Sequence, residues 1–140
     1  MTTQALATNR TESLQPHAIA LLRIALGVMT LAHGLMKVFL FTVPGTVGYF
    51  ESLGLPGVLA YLTILAEVGG GMALILGLFT RWVSLALVPV LIGAAWVHLG
   101  NGWVFSNEGG GWEFPVFWAI ALLVQAGLGS GSLTVNRRLA

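Results

Sequence analysis

Three side chains in this sequence could hold or pass a proton inside an apolar setting: Glu67, His33 and Lys37. Glu67 is the sharpest case. From Gly57 to Phe79 the phenol of Tyr61 is the only other ionisable group, and about 20 such residues suffice to cross a bilayer core of roughly 30 Å. A carboxylate at the centre of such a span costs on the order of 3 kcal/mol, so it is paired, protonated or turned toward a wet cavity. Carboxylates and imidazoles become proton donors and acceptors once their surroundings tune them, and a neighbouring cation favours the anionic form. The expected chemistry is proton exchange and anion stabilisation within a membrane. Glu67, His33 and Lys37 are the candidate catalytic groups, with Arg23, His98, Asn101, Glu113 and Gln125 as ligand-contacting members of one polar column.

The elements that must position these groups are apolar helices. The run His17 to about Phe41 is interrupted by Arg23, His33 and Lys37. At roughly 100° per residue, Lys37 lies about 40° from Arg23 around the helix and His33 about 40° further on. Gly27, Thr30 and Gly34 share that face, with Leu, Ile, Val and Phe behind it, as expected of a membrane helix with a packed inner face and a lipid-facing outer one. The segment Thr42 to Pro56 is rich in Pro and Gly and reads as a loop, with Phe50 to Leu53 as a short interfacial turn. The Glu67 helix follows, and its Gly69, Gly70 and Gly71 let a neighbouring helix approach closely. A tight turn at Thr80-Arg81 leads to a third run from Trp82 to about Leu99, with Pro89 inside it and His98 at its end. The Gly-rich segment Gly100 to Phe114 carries Trp103 and Trp112, in keeping with a membrane interface. It lacks the Lys-Ser/Thr of a phosphate loop, which argues against nucleotide binding. The fourth run goes from about Phe114 to Leu133, with Gln125 as its one strongly polar interior residue.

Composition agrees with this layout. Hydrophobic residues make up 56% of the 140 residues and charged residues 8%, a balance foreign to a soluble domain of this size. The expectation is an all-α integral membrane four-helix bundle over residues 17–134. A polar tail is expected over residues 1–16 and a basic one over residues 135–140, and the apolar run after the first tail is too long for a signal-peptide h-region. Net charge is +1 from few, scattered basic residues, which excludes a nucleic-acid footprint. The absence of cysteine excludes disulfides and thiolate metal sites, and no other spacing suggests a metal.

Loop charges set the expected orientation. With four spans, Arg10, Arg81, Arg137 and Arg138 fall on one side, and Glu51 and Glu108 on the other. The positive-inside rule then places both termini of a multi-pass membrane protein in the cytoplasm. In that topology Glu67 sits near mid-membrane, within a turn or two of His33, with Lys37 on its outer side and Arg23 on its inner side. His98, Asn101 and Glu113 lie at the outer mouth. Simpler readings stand beside this one. Arg23, Arg81 and Lys37 can snorkel to headgroups. Glu67 can anchor helix register through an ion pair. His33 and His98 could ligate a haem, but their depths differ and no C-x-x-C-H sequence is present.

Several of these residues also form a recurring pattern: R-x3-G at Arg23 and Gly27, H-G-x2-K at His33, Gly34 and Lys37, and G-L-P at Gly54, Leu55 and Pro56. The string E-x-G-G through L-G-L-x-T-R follows, with Glu67, Gly69, Gly70, Gly77, Thr80 and Arg81, and then His98 before Asn101-Gly102. Over roughly Ala18 to Ser132 the chain resembles the DoxX family of small bacterial four-helix membrane proteins. The resemblance implies kinship with small subunits of thiosulfate:quinone oxidoreductase and with membrane partners of redox-stress proteins.

Two functional classes follow. In one, the protein is a membrane subunit of a quinone- or quinol-linked oxidoreductase. His33 and Glu67 exchange protons with the quinone oxygens, Lys37 or Arg23 stabilises the anion, and a redox partner protein supplies electrons. In the other, it is a non-catalytic scaffold or a carrier of a lipid or small hydrophobic molecule, and the polar column is architecture. A proton-coupled transporter is a third class, which would need a homodimer. The lipid bilayer is a partner in each.

Overall fold

The structure is a computed structural model. It describes residues 3–135, 138 and 139, with side chains from residue 14 onward, so the Arg10 side chain and Arg137 of the basic tail lie outside the described residues. Among the described residues the chain is all α, with no strand. In order come α1 (Thr3–Phe39), α2 (Val43–Ser52), α3 (Val58–Leu76), α4 (Thr80–His98), a 3-10 turn at Leu99–Asn101, and α5 (Glu113–Leu128). Leu14–Phe39, Val58–Leu76 and Thr80–Asn101 are each long and apolar enough to cross a membrane, while α5 is equally apolar but only 16 residues long.

Four boundaries differ from the sequence expectation. Thr80 and Arg81, expected as the turn before the third run, are the first residues of α4, and the turn lies at residues 77–79, where Gly77 takes φ 73°. The backbone ahead of His17 is helical from Thr3 and runs through Pro16 into the first span. The Pro- and Gly-rich segment after Phe41 holds a ten-residue helix, α2, rather than a loop with one turn. Pro44 sits in its first turn, where no intrahelical N–H is needed, and the Thr42 hydroxyl accepts the Gly45 N–H at 3.2 Å. The fourth run ends at Leu128, not Leu133. Gly129 and Gly131 adopt φ of 80° and 68°, a left-handed region that glycine reaches without penalty and that ends a helix.

Helix α1 packs along α3, α4 along α5, and α3 joins the two pairs through α4, with a smaller α1–α5 contact. Leu26, Leu74, Leu87, Leu91, Trp118 and Leu122 form the buried apolar core. The outward faces keep large apolar side chains exposed, among them Leu21, Leu65, Ile92 and Phe117. In water such faces would be a liability; in a bilayer they are solvated by lipid.

Candidate functional site

Glycine decides how closely α1 and α3 approach. A methyl at Gly71 would lie 2.5 Å from the Leu31 backbone nitrogen, one at Gly27 would lie 2.9 Å from the Gly71 carbonyl oxygen, and one at Gly34 would lie 2.8 Å from Val68 Cγ2 and 3.0 Å from Glu67 Cβ. Backbone therefore touches backbone along this seam, as small residues permit in membrane helix pairs. The consequence is local: the last turns of α1 are pressed against the middle of α3, and Lys37 can reach down to Glu67.

Lys37 Nζ donates to both Glu67 carboxylate oxygens, at 2.9 Å and 2.7 Å. The side chains are 20% and 10% exposed, so this is a largely desolvated ion pair, of the kind that loses heavily when one partner is removed. Lys37 and His33 are the basic groups acting electrostatically on the carboxylate. Thr46, the buried residue of α2, donates its hydroxyl hydrogen toward the Lys37 and Thr42 carbonyls, 3.1 Å and 2.9 Å away, and so ties α2 to the end of α1.

His33 lies one turn below Lys37. Its Nδ1 is 2.9 Å from the Met29 carbonyl oxygen. A carbonyl only accepts, so Nδ1 carries the hydrogen and, in a neutral ring, Nε2 is left as the acceptor. The ring stands edge-on to Trp118, centroids 4.9 Å apart at 67°, and 6.5 Å from the Phe114 ring. Trp118 is 4% exposed, and its indole Nε1 has no hydrogen-bond partner. A buried donor without an acceptor costs about 1–3 kcal/mol, which makes it a candidate contact for a bound ligand. Together these residues offer an ion pair, an imidazole with one open nitrogen, an unpartnered N–H and two aromatic faces. Groups of these types can donate and accept hydrogen bonds and hold or pass a proton.

The remaining residues of the expected column stand apart from this cluster. Arg23 is fully buried 14 residues earlier on α1, about 21 Å along the axis at 1.5 Å per residue. Its Nη1 donates to the Ser130 carbonyl at 3.0 Å and its Nη2 to the Leu133 carbonyl at 2.8 Å. Gly77, with φ 73°, makes room: a Cβ there would overlap the guanidinium. Arg23 thus fastens the segment after α5 across the end of the molecule where α1 enters and α3 leaves. Ser132 N–H donating to the Pro16 carbonyl and Val135 N–H to the Leu76 carbonyl, both at 3.0 Å, complete that lock. At the same end Gln125, also fully buried, donates to the Gly129 carbonyl at 2.7 Å, while its Oε1 has no partner.

His98, Asn101 and Glu113 organise the loop at the other end. Asn101 Nδ2 donates to the carbonyls of Gly109 and Gly110, at 3.0 Å and 2.9 Å, and lies 3.4 Å from His98 Nδ1. Glu113 Oε1 accepts the Phe105 N–H at 2.8 Å. No group of three or more metal-ligating side chains occurs among the described residues. Sequence reasoning missed Trp118 and Phe114, which it counted as part of an apolar run. No positional signal marked Trp118: it stands four residues after Phe114, near the start of the fourth run, where interfacial tryptophans gather.

Known proteins share this chain's pattern. The DoxX family model matches residues 18–100. Over 74 residues the chain is 39% identical to a Bacillus subtilis protein named "Putative oxidoreductase CatD", a match covering 53% of this chain and 54% of that one, so that it spans about half of that relative's length. An uncharacterized protein of Haemophilus influenzae is 30% identical over 132 residues, with 93% of this chain and 96% of that one covered. Inner membrane protein YphA of Escherichia coli is 28% identical over 131 residues, covering 89% and 91%. No solved structure matches the chain.

Proposed function

The chain belongs to the DoxX family, and from that premise we propose that it is a small membrane subunit of a quinone- or quinol-linked oxidoreductase. The ligand site in this reading is the Lys37, Glu67, His33 and Trp118 cluster. One observation carries it: a desolvated Lys37–Glu67 ion pair adjoins a histidine with an open ring nitrogen, inside segments apolar enough to span a membrane. Such groups are expensive at that depth and mark proton or ligand pathways.

The chemistry balances as follows. Reduction of a quinone to a quinol takes two electrons and two protons. The electrons come from a redox partner protein. The protons come through Glu67 and His33, with His33 Nε2 delivering at one quinone oxygen once the ring is protonated, and the Trp118 N–H holding the ligand by a hydrogen bond. Lys37 stabilises the carboxylate after Glu67 gives up its proton, and releases it when the proton returns. The Phe114 and Trp118 rings, 5.6 Å apart and tilted by 56°, form one aromatic wall beside the ligand ring.

The topology in this reading is a four-helix bundle with α5 as the fourth span and both termini in the cytoplasm of a bacterium, the protein lying in its inner membrane. Its support is the packing of α5 along α4 and the gathering of Arg81 and Arg138 at the end where α4 begins, away from Glu51 and Glu108.

A structural reading has its own observation, since Lys37 already occupies both Glu67 oxygens. Titration of the purified full chain with a short-chain benzoquinone separates the two. Under the redox reading, Glu67→Gln and His33→Ala each weaken saturable binding by about tenfold or more, the loss of one charge-assisted hydrogen bond, in protein that still melts cooperatively. Unchanged quinone binding alongside a large loss of thermal stability would reject it in favour of a scaffold or carrier.

A further inference from the structure

The turn between α3 and α4 and the end of the chain enclose a second site, at the opposite end from Lys37 and independent of the quinone reading. A cavity of ≈ 390 Å³ is lined by Phe79, Arg81, Trp82, Ser130, Arg138 and Leu139, with no acidic side chain among its described lining residues. Arg81 and Arg138 thus place two guanidinium groups on one cavity, a basic lining of the kind that receives anions.

Local structure holds it open. Phe79 takes φ 48° and its N–H donates to the Leu139 carbonyl, which brings the final residues alongside the first turn of α4. Arg81 donates from Nε to the Ala126 carbonyl at 3.2 Å. That bond fixes the base of the guanidinium and commits one of its five N–H donors. The Ser130 hydroxyl is held 2.9 Å from Thr80 Oγ1. The first turn of α4 has no side-chain cap, so its amides add positive potential to that of the arginines.

We propose that this cavity binds a phosphate-bearing anion, and that the phosphate is the headgroup of an anionic membrane lipid. Free phosphate shares the charge chemistry but not the surroundings. Phe79, Trp82 and Leu139 are 51%, 70% and 37% exposed beside the arginines, at the start of a helix apolar enough to span. An indole next to a cation at the end of a span is how membrane proteins address the glycerol and headgroup layer. The rim therefore suits acyl-chain attachment while the arginines take the charge.

The test uses the full chain in detergent, titrated with phosphatidylglycerol, with zwitterionic phosphatidylcholine and with inorganic phosphate, and read by native mass spectrometry. A basic side chain near an anionic lipid is worth about fivefold in affinity, so phosphatidylglycerol should bind about 30-fold more tightly than phosphatidylcholine, and Arg81→Gln or Arg138→Gln should each remove about fivefold of that preference. Arg138→Gln leaves the Arg81–Ala126 bond in place, so it reports on binding even where Arg81→Gln disturbs the α4–α5 packing. Inorganic phosphate that binds as tightly as phosphatidylglycerol and displaces it would keep the anion site and overturn its assignment to lipid. Equal retention of both lipids with no phosphate binding, or a preference that survives both substitutions, would overturn the site itself.

Discussion

Gly69, Gly70 and Gly71 are consecutive on α3, and because the close α1–α3 seam positions Lys37 against Glu67, alanine is expected to have three different effects there. A methyl at Gly69 meets nothing within 4 Å; at Gly70 it comes within 3.1 Å of the flexible Leu87 Cδ2; at Gly71 it comes within 2.5 Å of the Leu31 backbone nitrogen. Ordinary contact begins near 3.4 Å, so Gly71→Ala forces α1 away from α3 by about 1 Å or distorts one of them. Overpacking of this kind costs about 1–3 kcal/mol, and here nothing soft is available to yield, so the upper half of that range is expected. Gly70→Ala should cost under about 1 kcal/mol as Leu87 changes rotamer, and Gly69→Ala should be neutral or stabilising by up to about 1 kcal/mol, since alanine is the better helix former. Thermal unfolding in a mild detergent, followed by circular dichroism, ranks the three. The order Gly69, Gly70, Gly71 in rising cost is the expected result. Gly71→Ala melting with Gly69→Ala would refute the close α1–α3 seam and, with it, the geometry of the ion pair.

Three further outcomes follow from the same geometry. Lys37→Met leaves the Glu67 carboxylate without its partner and should cost about 2–4 kcal/mol, while adding Glu67→Gln should restore most of it; a melting double-mutant cycle checks the coupling. Arg23→Met removes two donors from the Ser130 and Leu133 carbonyls and should release the segment after α5, seen as faster amide hydrogen exchange at Ser132 and Val135 with the exchange of α3 unchanged. Thr42→Ala deletes the cap of α2 and should cost about 1 kcal/mol, measurable as a lower melting temperature and as faster exchange confined to Val43 through Ser52.

Much of this architecture was legible because membrane helices announce themselves: length and apolarity located the spans around Arg23, Glu67 and Pro89. The pairing of Glu67 with a basic residue of the first helix was within reach of helical periodicity and depth, but the register of α1 against α3, which decides between Lys37 and Arg23, was not. The glycine seam sets it: Gly34 lies against Glu67 and Val68, which puts Lys37 within one turn of the carboxylate and Arg23 about 16 Å away along the axis. Arg23 is taken by carbonyls of residues 130 and 133, which fold back only because Gly129 and Gly131 turn the backbone, and a hydropathy pattern reads those residues as more helix. Helix α2 was hidden for the opposite reason. Its Pro44, Gly45 and Gly48 count as breakers, although a proline in the first turn behind a threonine cap is a helix start. Trp118 shows a third limit, because composition records an apolar residue, whereas the orphaned indole N–H exists only once α5 packs beside His33.

The most direct test of the central proposal is native mass spectrometry with lipid extraction on protein purified gently from its own membrane, paired with an optical spectrum of the same sample. A stoichiometric quinone, reduced by Glu67→Gln and by His33→Ala while the helical signal persists, is the predicted result. Protein that carries only bulk phospholipid, with no quinone and no co-purifying redox subunit, would contradict it and leave the Lys37–Glu67 pair as a structural fastening between α1 and α3.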